Sequence, residues 1–312
     1  MSTAVQHAPE FSPTPSQLAI AYSVCRGITR AAAKNFYYAF LVLPKSKRRA
    51  LCAVYAYMRQ CDDIADDPGL TFPERQQKLQ NLLDALHRAQ LGHPTDDPVL
   101  LALTDAQHRF SIPAALFDQL AHGTGMDIVE EAQAAEQGSS CTHLQYKTIE
   151  DLRLYCYRVA SVVGLVCIRV FGYRDPAAEK YAEELGLAFQ LTNIIRDVKE
   201  DYSLGRIYLP AEDLAQFDLQ SDEFRTSLDS PRMRLLLKAE AERARQFYGA
   251  AEKLLPLIDE DSQPALWVLS TIYRRLLEKI ARLQYDVFSQ RVSLTTREKL
   301  AILGKGFLKR LV

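Results

Sequence analysis

The chain has 312 residues, is 48% hydrophobic and 25% charged, and carries a formal net charge of −1. That size and composition support a substantial buried core, and the near-neutral balance gives no electrostatic basis for binding nucleic acid. The six cysteines form no CxxC pair, which argues against a thiolate zinc site and reads as reduced, buried, cytosolic thiols.

The opening MSTAVQHAPEFSPTPSQ lacks the basic-then-apolar order of a secretory signal. Its Pro, Ser and Thr content predicts a disordered lead over 1–14, followed by one domain over 15–312. Helical periodicity starts near Gln17 and runs to Arg30. After Pro44, with Ser46 as its cap, a second helix is expected from Lys47 to Asp66, where Leu51, Val54, Tyr55 and Met58 recur at three and four. Further helices are expected over 73–90, 97–110 and 113–125, then a polar, irregular stretch over 126–147. Long helices follow over 149–172 and 176–201, then a connector at 205–210, then helices near 231–255, 263–287 and 295–311. Strand-like alternation is nearly absent and no run of eighteen apolar residues announces a membrane span. The expectation is a single all-α domain around a central cavity.

Two acidic stretches carry the chemistry. RQCDDIADDPG, at 59–69, places Asp62, Asp63, Asp66 and Asp67 at a helix C-terminus, where the backbone dipole disfavours negative charge. Asp62 and Asp66 lie about 40° apart on one helix face, and Tyr55 and Arg59 extend that stripe. QLTNIIRDVKEDYSLGR, at 190–206, sets Asn193, Asp197 and Asp201 at i, i+4 and i+8, with Gln190 in line, Arg196 alongside and Gly205 as the helix stop. Neighbours such as Phe189, Leu191, Ile194 and Ile195 are apolar enough to turn this second stripe toward an interior cavity. Solvated acids would explain one such helix end. Two together point to carboxylates that share magnesium, a cation that prefers hard oxygen ligands and substrate phosphates. An anionic diphosphate fits between them. Tyrosines near both stretches, Tyr55, Tyr155 and Tyr208 among them, offer ring faces to a carbocation, each worth about 0.5–2 kcal/mol.

Four pieces in this order, NFYYAFLVLP at 35–44, YAYMRQCDDIAD at 55–66, YCYRVASVVG at 155–164 and QLTNIIRDVKEDYSLGRIYLP at 190–210, resemble the squalene and phytoene synthases, over residues 17–290. The resemblance implies the isoprenoid-synthase helical fold and head-to-head condensation of two prenyl diphosphates. It implies that Asp62, Asp66, Asn193, Asp197 and Asp201 hold two or three magnesium ions. Tyr55, Arg59, Gln190, Arg196, Arg206 and Tyr208 match diphosphate-side positions, and Tyr155 matches the tyrosine near the reacting carbons. Phe36 and Phe40 fall on the tunnel wall. A bulky Phe40 there leans toward fifteen-carbon farnesyl diphosphate, hence presqualene diphosphate or squalene, as in bacterial hopanoid-pathway members. Geranylgeranyl diphosphate and phytoene form the alternative. NADPH enters only if squalene is the product; HGTGMD at 122–127 is no dinucleotide fingerprint. A non-catalytic assembly factor of this fold would be expected to lack the metal ligands. The basic, apolar C-terminus, REKLAILGKGFLKRLV, reads as a last packing helix or as a peripheral membrane contact on a cytoplasmic protein.

Overall fold

The computed structural model describes residues 12–136, 144–219 and 229–311. Most of the expected lead lies outside them. Its last residue begins α1 (Pro15–Ala32): Thr14 and Gln17 form a capping box that satisfies two otherwise orphaned amides. Helix α2 (Lys34–Phe40) runs straight on from it, and α3 (Lys45–Ala65) starts behind Pro44, which itself occupies the cap position. Ser46, expected as the cap, sits inside the first turn, because proline already fixes the entry angle without needing an amide. Then come α4 (Phe72–Gln90), opened by a Thr71–Glu74 capping box, and α5 (Pro98–Phe110), whose first amides bond Asp97.

Helix α6 (Ala114–Glu136) extends into the stretch 126–147, expected to be irregular, as far as 136; residues 137–143 of that stretch lie outside the described residues. Gly123 and Gly125 do not end the helix. A Cβ on Gly123 would lie 3.1 Å from the backbone carbonyl carbon of Arg158, so that glycine serves close helix approach rather than termination.

After the two-residue strand β1 (Leu144–Gln145) comes α7 (Ile149–Cys156), which passes through one π-helical turn, Tyr157–Ser161, into α8 (Val162–Phe171). Taken together, Ile149–Phe171 is long and apolar enough to span a membrane, against the expectation that no segment would be. It packs instead on α9 (Ala177–Ser203), the central helix. A Cβ on Gly186 would sit 2.7 Å from the Ala160 carbonyl, and one on Gly164 2.6 Å from that of Ala182, so both positions require the absence of a side chain. Gly205 ends α9 as expected, at φ +80°.

The expected connector contains β2 (Arg206–Ile207), which pairs in parallel with β1, Leu144 opposite Arg206 and Gln145 opposite Ile207. Two-residue strands leave no alternation to detect. Helices α10 (Ala211–Gln216), α11 (Pro231–Tyr248) and α12 (Ala250–Leu254) follow. Then α13 (Gln263–Arg282) and α14 (Thr296–Leu311) close the bundle over α2. The chain forms a single all-α domain, and five of its cysteines, Cys25, Cys52, Cys61, Cys156 and Cys167, are free; Cys141 lies outside the described residues.

Candidate active site

An apolar hollow of about 220 Å³ runs between α2, α3, the π turn, α8, α9 and α13, and its lining includes Phe36, Phe40, Tyr55, Phe189 and Tyr273. The rings pack on one another: Phe36 lies 6.4 Å from Tyr55 and 6.0 Å from Tyr273, and Phe189 stacks on Tyr273 at 4.3 Å. Phe36 and Phe40, expected on a tunnel wall, line this hollow.

The hollow adjoins two polar chambers. One, of about 200 Å³, contains Asp62, Cys61, Tyr155 and Gln190, and shares Met58, Val159 and Gln190 with the hollow. The other is a cleft of about 730 Å³ bounded by Asn35, Arg196, Arg291 and Lys299, and shares Phe36, Tyr55, Asn193 and Tyr273. The two acidic stretches are joined at a margin of the hollow. Asp62 of α3 and Gln190 of α9 share one chamber, and Arg206 beyond α9 bonds Asp66 beyond α3 at 2.9 Å.

Asp66 has already left the α3 helix, with its amide on the Asp62 carbonyl, and Asp67 folds back to accept the Gly69 amide at 2.9 Å. The Arg59 side chain is 45% exposed and pairs with Asp63, while Asp62 and Tyr55, its neighbours on the stripe, stay within its electrostatic reach.

On α9, Asp197 is held by Arg196 and, through two bonds of 2.8 and 3.0 Å, by Arg291. Burial raises its pKa, but the hydrogen bonds from the two guanidinium groups outweigh that and hold the carboxyl below its ordinary value. One turn on, Asp201 is pushed up to about 8, first by burial and then by the Asp197 charge, with Arg206 only partly offsetting them. Burial first, and then the nearby Asp62 carboxylate, also raise the Tyr55 hydroxyl.

Asn193 Oδ1 and Glu200 Oε2 are buried without a hydrogen-bond partner among the described residues. Together with a carboxylate pair that cannot both ionise comfortably, this oxygen-only donor set suits a hard divalent cation. Among the described residues no three His, Cys, Asp or Glu side chains converge closely enough to share an ion as the chain stands. Arginines hold Asp66 and Asp197 instead.

Tyr155 and Tyr208, both anticipated, stack at 4.9 Å, and Tyr146 joins them at 5.4 and 6.3 Å. Sequence reasoning missed Arg291, Lys299, Tyr273, Phe189 and Tyr146. Arg291 lies in the irregular link between α13 and α14, where no periodicity marks it. Tyr273 is one apolar-face residue among many on α13 and carries no signal of its own.

Helices enclosing an apolar hollow, with acid-bearing helix ends at its margin, define an isoprenoid synthase of the prenyltransferase class. The family model described as squalene/phytoene synthase matches residues 29–298. A phytoene synthase of Mycobacterium bovis is 39% identical over 90% of this chain and 89% of its own length. A solved dehydrosqualene synthase superposes with a TM-score of 0.80 at 31% identity, covering 93% of this chain and 96% of that one. The squalene synthase HpnC from Alicyclobacillus acidocaldarius does so at 0.74 and 27%, covering 87% and 97%. The chain belongs to the squalene/phytoene synthase family, whose members are prenyltransferases that join two prenyl diphosphates head to head.

Proposed function

We propose that this enzyme condenses two farnesyl diphosphates to presqualene diphosphate or squalene. The observation that carries the reading is one apolar hollow flanked by two separate polar chambers, room for two diphosphates whose tails share a dry interior. Asp62 and Asp66 on one side, and Asn193, Asp197 and Asp201 on the other, would hold two or three magnesium ions. Bound magnesium neutralises the departing diphosphate.

The chain's own residues do the rest. Gln190 and Tyr55 lie where a diphosphate meets the hollow, and Arg196, Arg291 and Lys299 supply cations around the larger chamber. Phe36, Phe189 and Tyr273 exclude water from the allylic cation left by the first ionisation. The stacked Tyr155 and Tyr208 offer electron-rich faces while the second substrate's double bond attacks to give a cyclopropylcarbinyl diphosphate. That product is released or ionises again; NADPH is needed only where the rearranged cation is reduced. Arg206 bridges the two acidic ends.

Phe40 is 3% exposed on the wall of the hollow, which supports the shorter, fifteen-carbon substrate. A second reading, two geranylgeranyl diphosphates to phytoene, is favoured by the mycobacterial relative's name at 39% identity. We place the enzyme in the cytoplasm with α14 against an anionic lipid surface, supported by exposed Leu300, Phe307 and Leu308 on that basic helix.

Incubation with each diphosphate, with and without NADPH and magnesium, followed by product identification, tests all of this. A thirty-carbon product supports the reading, and a forty-carbon product replaces it with the second. The absence of magnesium-dependent diphosphate release from either substrate would sink both.

A further inference from the structure

We infer that Tyr146 is a positioning residue for the condensation, fixing the ring of Tyr155 beside the reacting carbons. The inference rests on the function proposed above. It starts from the backbone. β1 pairs with β2 in parallel register, so the residues that follow, Tyr146 and Tyr208, arrive side by side. Beyond the strands the two segments stay joined: the Ala211 amide bonds the Tyr146 carbonyl at 2.9 Å, and the Glu212 amide bonds that of Lys147 at 3.2 Å. Glu212 also accepts the Ile149 amide at 2.7 Å, which ties α10 to the first turn of α7. Tyr155 lies on that same helix, two turns on.

The outcome is a cluster of three nearly parallel rings, with interplanar angles of 17°, 21° and 33°. Tyr146, Tyr155 and Tyr208 are 3%, 6% and 7% exposed. Of the three, Tyr155 faces the chamber that holds Asp62 and Gln190. A cation is stabilised by a ring only when it lies over the ring's face and close to it, so the tilt of Tyr155 matters as much as its presence. Tyr208 and Tyr146 bound that tilt from adjacent directions, since their own ring centroids lie only 6.3 Å apart, and so leave the rest of the Tyr155 ring to the chamber. The strand pair that delivers Tyr146 also delivers Arg206 to Asp66, so ring placement and closure of the acidic ends depend on the same register. Diphosphate binding draws on other residues, so loss of the Tyr146 ring should slow chemistry without weakening binding.

The test compares Tyr146→Phe, Tyr146→Ala and Tyr146→Leu with the wild-type enzyme under magnesium, with melting temperatures measured for each. The expected result is a kcat at least tenfold lower for Ala and Leu with KM within threefold of wild type, and a Phe variant restored to within threefold. Leu keeps most of the buried volume, so it decides the question if Ala fails to fold. The inference is overturned if Leu or Ala retains wild-type kcat, if KM rises in step with the fall in kcat, or if Phe is as slow as Leu. A wild-type enzyme without turnover would overturn the functional reading instead, and this inference with it.

Discussion

Arg206 Nη2 lies 2.9 Å from Asp66 Oδ1, joining two residues 140 positions apart in the chain. Arg206 opens β2 immediately after α9, and Asp66 is the first residue beyond α3. One ion pair thus ties together the ends of both acidic stretches.

That pair is expected to serve function more than stability. Asp66 is 53% exposed, and an ion pair so open to water contributes under about 1 kcal/mol. Arg206→Gln should leave the melting temperature within roughly 3 °C of wild type while raising KM about tenfold, a loss of about 1.4 kcal/mol of binding. Steady-state kinetics beside thermal denaturation would check it. An unchanged KM would remove Arg206 from the substrate site.

Asp62→Asn and Asp197→Asn should each lower the rate of diphosphate release by at least about a hundredfold, or about 2.7 kcal/mol, with the far-ultraviolet circular dichroism of the helical fold retained. Asp62 faces a chamber beside the hollow and Asp197 sits among arginines, so neither supports the core by apolar packing. Near-normal turnover in either variant would count against the assigned roles.

Asp201 gives a pH signature in the absence of metal. Its pKa is raised from 3.8 to about 8 in the fold, so the folded state binds the proton more tightly than the unfolded chain does. Stability linked to this group is therefore complete below about 3.8 and is lost progressively as pH rises to about 8. In EDTA the protein should lose melting temperature from about pH 5 to about pH 8 and level off above that. Asp197 does not oppose this, since its lowered value matters only in acid. Asp201→Asn should flatten the profile and raise the melting temperature at pH 8 by roughly 2–6 °C, while abolishing turnover. A profile as steep in the variant as in the wild type would show that another group carries the dependence.

Phe40→Leu removes part of a ring from the wall of the hollow. It should shift the ratio of kcat/KM toward the twenty-carbon diphosphate by about tenfold, the scale set by one or two methylene-sized contacts, at a stability cost of about 1–2 kcal/mol. Competition between the two substrates in one reaction reads the ratio directly. If the ratio does not move, Phe40 does not set chain length.

Most helix spans were legible because apolar residues at three and four spacing signal burial within a single segment. The starts were less legible: the caps Thr71 and Asp97 emerge only in the structure, and Pro44 takes the place expected of Ser46. Where the reading failed, the deciding partner lay elsewhere in the chain. The expected helix end at Gly125 fails because α6 continues past it, with Gly123 set close against Arg158. Charged residues interrupt Ile149–Phe171, so no unbroken apolar run marks it in the sequence, although as one continuous helix it is long and apolar enough to span a bilayer.

The sequence by itself determined the helical class, the two acidic helix ends and the oxygen donors they carry, because each is a local pattern of residue type and spacing. Tertiary structure alone decided that these ends meet beside an apolar hollow. It also decided that Arg291 rather than solvent neutralises Asp197, and that Tyr146 joins Tyr155 and Tyr208. Those contacts depend on chain closure over many tens of residues, and no local periodicity encodes which distant side chain will fill a given space.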